Sequence, residues 1–187
     1  MREKTEDIPA ARPARAFSWF QVGLGAATAS LLIGLVALQN MGRANERHTL
    51  MQLADNHARS LLAGHLADVS SADFHIVKPW FEGKINFAPP VPDLTVAGYK
   101  LVGGRLDYVA GHTAAALVYQ LGKHDISVFV WPEPGSPAHP PQIMTAQRGY
   151  QIVGWQSGEL ACRAISDLSE RDLRDFASAF QANAQNR

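Results

Sequence analysis

With one cysteine in 187 residues, Cys162 has no partner inside the chain. An internal disulfide framework and a four-cysteine zinc module are therefore excluded. Neither sign of charge is in excess, with 17 Lys+Arg against 17 Asp+Glu. A nucleic-acid partner is not expected, because such surfaces carry a basic stripe. The catalytic signatures are missing as well: the sequence has no G-x-S-x-G elbow, no phosphate loop, and no H-E-x-x-H or C-x-x-C spacing. Apolar residues make up 47% of the chain, enough to build a core and to exclude disorder as its class.

Charge is absent from one long stretch. Between Arg15 and Arg43 no Asp, Glu, Lys or Arg occurs, and residues 17–38 read FSWFQVGLGAATASLLIGLVAL. As a helix this stretch would extend roughly 33 Å, enough for a hydrocarbon core of about 30 Å. A cleavable signal peptide usually has an apolar region of only about 7–15 residues and a small-x-small exit. Gly42-Arg43-Ala44 is a poor match to that exit, so an uncleaved anchor in the lipid bilayer is expected. Arg2, Lys4, Arg12 and Arg15 precede the stretch, while Arg43, Arg47 and Arg59 follow it. That balance, with a short tail in front, places the N-terminus in the cytoplasm of a single-pass protein and the remainder across the membrane. Ala26, Ser30 and Gly34 recur four apart, so they are candidates for close helix–helix contact and a homodimer.

The expected organisation is a tail over 1–16, a transmembrane helix over 17–38, a juxtamembrane amphipathic helix over 39–70, and an α+β domain over 71–187. Leu50, Leu53, Ala54, His57, Leu61 and Val69 supply the helical periodicity of the third segment. Pro79, Pro89, Pro90 and Pro92 predict extended chain over 74–93, turning at Glu82-Gly83-Lys84. Alternation then predicts strands over 99–108, 114–120, 126–131, 150–155 and 160–165, with a bulge at Gly103-Gly104. Five prolines in 132–141 predict an exposed loop. Ser169 and Asp172 form a capping box for a closing helix whose apolar face is Leu173, Phe176, Ala177 and Phe180. The result is an antiparallel sheet of about five strands with helices on one face.

Seven histidines invite a metal reading. His65 and Asp68 share a helix face and His75 could approach from the next element, but no ligand spacing supports a site. No metal, cofactor or catalytic group is expected. Strand alternation groups Cys162 with Leu160 and Ala164, as a buried thiol. A candidate recognition surface is His75, Lys78, Trp80 and Phe81, where a cation, a rigid proline and two aromatics lie side by side. Trp131, at a strand end before Pro132, is a further candidate.

Several of these segments form a series of specific words: HIVKPWFEGKINFAPPVPDL over 75–94, LVGGRLDYVAG over 101–111, AALVY over 115–119, HDISVFVWP over 124–132, GYQIVGW over 149–155 and AISDL over 164–168. Their order resembles the extracytoplasmic half of bacterial transmembrane anti-sigma factors, across roughly residues 45–180. The resemblance implies a membrane-anchored transcriptional regulator, with no enzymatic activity, whose periplasmic domain receives an envelope signal. Its implied partner is an extracytoplasmic-function sigma factor or another membrane protein. That family usually carries a helical, zinc-binding cytoplasmic domain ahead of the span, with an H-x-x-x-C-x-x-C motif. The 16 residues preceding the span contain neither His nor Cys. The sigma-binding module is thus expected to be missing, supplied by another chain, or lost from a truncated start. The alternatives are a periplasmic module in an envelope complex and a membrane-tethered periplasmic enzyme.

Overall fold

The computed structural model describes residues 19–184, with side chains from Ile33 onward. Two compact units are present, residues 1–43 and 44–187. The described part of the first is the beginning of helix α1, Trp19–Leu62. Counting the described residues alone, no helix is long and apolar enough to cross a membrane. Most side chains of the stretch 17–38 lie outside them, as do those of Ala26 and Ser30. At Gly34 an added Cβ would meet nothing of this chain within 4 Å.

The second unit is α+β. Its strands are β1 (Val69–Ser70), β2 (Lys100–Val109), β3 (His112–Leu121), β4 (His124–Pro132), β5 (His139–Ile143), β6 (Gln151–Ser157) and β7 (Leu160–Ser166). They form one antiparallel sheet in the order β1-β2-β3-β4-β7-β6-β5. The β2–β3 hairpin turns through Ala110 and Gly111, both with positive φ (53° and 83°), the backbone that matches strand twist in a two-residue loop. Five strands fall where apolar alternation places them. The two that escape prediction are the edges. β5 contains Pro140 and Pro141 inside the segment read as loop, and an edge strand tolerates them because a missing N–H there breaks no second ladder. β1 lies in the segment read as the end of a helix. The helix stops earlier because Gly64 adopts φ 62°, with His65 N–H on the Ser60 carbonyl and Gly64 N–H on that of Leu61. This is a Schellman ending.

Helices cover both faces of the sheet, which corrects the one-face expectation. Helix α3 (Glu170–Ala184) starts at Ser169, whose hydroxyl accepts from Asp172 N–H and donates to its carboxylate. The predicted apolar face, Leu173, Phe176, Ala177 and Phe180, is fully buried. It packs against Leu117, Tyr119, Val153, Trp155 and Cys162. On the opposite face Leu50, Leu53 and Ala54 of α1 pack against Ala116, Phe129, Trp131, Ile152 and Ile165. Between the predicted extended residues lies a third helix, α2 (Phe74–Trp80). Asp73 caps it by accepting from His75 N–H, and Pro79 stands in its last turn, where the chain is already leaving the helix.

Candidate recognition site

The glycine pair of β2 positions α2. A Cβ on Gly104 would come within 2.8 Å of the Phe81 ring and 3.3 Å of Val77, while one on Gly103 would run into the Val69 carbonyl. Two bare residues thus let β1 pair closely at one and let α2 settle onto the sheet at the other. Register shifts between Leu101 and Gly103, as a bulge requires.

With Val77 and Phe81 buried, the remaining side chains of α2 are assigned by the helical turn. His75 and Lys78, three apart, are both exposed and line one cavity of about 300 Å³. Its other walls are Pro79, Pro90 and Pro92, and the end of α3 at Asn183 and Ala184. The proline segment is fixed from beneath, because the buried Tyr119 hydroxyl donates to the Pro92 carbonyl at 2.8 Å. Burial pushes the pKa of that phenol well above its usual range, so it remains a donor. Trp80 is half-buried and edge-on to Phe81, with ring centroids 5.1 Å apart. A cation does sit on Trp80, but it is Lys84, 4.6 Å from the ring centre and donating to the Trp80 carbonyl. Trp131 is not part of this surface. It is buried in the cluster beneath α1, with Arg163 5.4 Å from its ring.

Sequence reasoning did not find a second polar constellation, under α1. His57 is 1% exposed; its Nδ1 lies 2.9 Å from the Ser127 hydroxyl, and its ring meets Tyr150 edge-on. Burial first, then the Arg105 guanidinium, lowers the His57 pKa to about 4, against a smaller upward pull from Asp167, so the imidazole is neutral. A Ser–His pair of this kind resembles a nucleophile and its base, but both side chains are sealed from solvent. Beside it Asn56 donates to the Asp107 carboxylate and the Tyr108 carbonyl, and Arg105 donates to the Leu66 carbonyl. No sequence signal marks this seam, since its bonded partners are about 40 to 70 positions apart.

Among the described residues no group of three His, Cys, Asp or Glu could hold a metal ion. His65 instead pairs with Asp68 at 2.7 Å, and His75 stacks on Phe74. Cys162 is fully buried and its pKa is pushed up to about 12 by burial, an inert thiol on the face that alternation assigned to it. Compared with protein-family models and with curated proteins, the chain matches none.

Proposed function

We propose that the chain is a membrane-anchored regulator of the anti-sigma type, with its α+β domain on the periplasmic side of a bacterial inner membrane binding an envelope signal. The outward apolar side chains of α1 carry the membrane half of this proposal. Ile33, Leu35, Val36, Leu38 and Met41 are all exposed, and at about 100° per residue they point to every side of the helix. A helix apolar all round suits hydrocarbon better than water. The same helix, Trp19–Leu62, includes the segment that packs on the sheet.

The regulator half rests on the order of the family-like words in the sequence, and these segments share one core. Phe81 of the first rests on Gly104 of the second, and Tyr119 of the third bonds to Pro92 of the first. The Ser127–His57 pair is sealed from solvent and so offers a substrate no nucleophile.

Deleting the gene and sequencing the RNA tests this reading. The regulon of one extracytoplasmic-function sigma factor should change, and a tagged chain should stay in carbonate-washed membranes. A soluble chain, or no altered regulon, would remove the proposal.

A further inference from the structure

We infer that the cavity between α2, the proline segment and the end of α3 binds a small organic carboxylate with an apolar body. Its volume of about 300 Å³ corresponds to roughly ten water volumes, suited to a compact molecule. The walls are largely apolar and stiff, since Pro79, Pro90 and Pro92 have few conformations to lose on binding. Both sides are tied to the core, α2 through Val77 and Phe81 and the proline segment through Tyr119.

Charge selects the ligand's sign. Lys78 and His75 line the cavity, and among the described residues that line it there is no carboxylate. Lys78 takes part in none of the ion pairs among the described residues, so its ammonium is available to a ligand. A neighbouring cavity of about 420 Å³ shares Lys78 but is also lined by Glu82, which disfavours an anion there. One lysine against apolar walls matches a single carboxylate on a hydrophobic body. Phosphate would call for bidentate arginines, and no described residue lining this cavity is an arginine.

The inference names a signal class for the regulator proposed above, but it rests on the cavity alone. The two fail separately, one in a binding assay and the other in transcription. The full chain in lipid nanodiscs is titrated calorimetrically with phenylacetate, with empty nanodiscs subtracted. Saturable binding is expected, weakened about tenfold by Lys78→Met, prevented by Ala184→Trp, and unchanged by Lys123→Met in the β3–β4 turn. Absence of saturable binding would overturn the inference. So would equal binding of neutral phenylacetamide or inorganic phosphate, or an unchanged affinity in Lys78→Met.

Discussion

The two faces of the sheet hold their helices by different physics. Under α3 the contact is a chain of edge-on rings: Tyr99 to Phe176 at 4.9 Å, Phe176 to Tyr119 at 5.5 Å, Tyr119 to Phe180 at 5.9 Å, and Phe180 to Trp155 at 5.4 Å. Under α1 the apolar contact is smaller, with Leu50, Leu53 and Ala54 facing the sheet. Hydrogen bonds supply the rest. Gln52 accepts from Ala110 N–H, Asn56 reaches Asp107, and His57 meets Ser127. Apolar packing is strong and indifferent to pH, whereas a polar seam fixes register and responds to protonation. The helix that shares its length with the uncharged stretch is thus the one held by adjustable contacts.

The largest expected effect comes from breaking the aromatic face. Phe176→Ala removes a fully buried ring that touches Tyr99, Tyr119 and Phe180. It should destabilise the chain by about 3–5 kcal/mol, measured by urea denaturation. If the faces differ as described, that loss will be the same at pH 7 and pH 4.5.

Acid should act on the other face. His57 has a folded pKa of about 4 against roughly 6.5 in an unfolded chain. Between those values the unfolded state binds more protons, so stability falls as pH is lowered. The contribution is fully present above pH 6.5 and lost by about pH 4, a change on the order of 3 kcal/mol. Denaturation midpoints of the native chain and His57→Gln across pH 4–7 provide the measurement. Equal pH slopes in the two proteins would mean that His57 is not the acid-sensitive element. A smaller effect follows from Asn56→Ala, which leaves the Asp107 carboxylate without its 2.7 Å donor and should cost about 1–2 kcal/mol.

What could be read in the sequence follows the same division. Strands and the closing helix are set by local periodicity, so β2, β3, β4, β6, β7 and the face of α3 were visible from spacing alone. Gly103-Gly104 announced a bulge, although nothing local could say that Phe81 would be the ring admitted. Proline misled twice. It predicted extended chain where Asp73 caps α2, and it hid an edge strand at β5 where its missing donor does no harm. His75 and Lys78 were grouped in the sequence as part of one surface on extended chain, whereas it is the helical turn of α2 that makes them neighbours. Trp131 was misplaced among them because strand parity, shared with Phe129, sends it to the α1 face. The His57–Ser127 contact joins residues 70 positions apart, a distance that no periodicity spans.

The mildest perturbation serves as the control for the comparison. Ser169 accepts from Asp172 N–H at 3.2 Å and donates to its carboxylate at 2.7 Å, outside both clusters. Ser169→Ala leaves one helix donor without its cap and should cost about 1 kcal/mol. Because the aromatic ladder already fixes α3, the loss should appear as a lower denaturation midpoint with an unchanged slope against urea. Hydrogen exchange should quicken in the first turn, at residues 170–173, and stay slow at Phe176 and Phe180. Faster exchange through the whole of α3 would mean that the cap, rather than the rings, holds that helix to the sheet, and the contrast between the two faces would then fail.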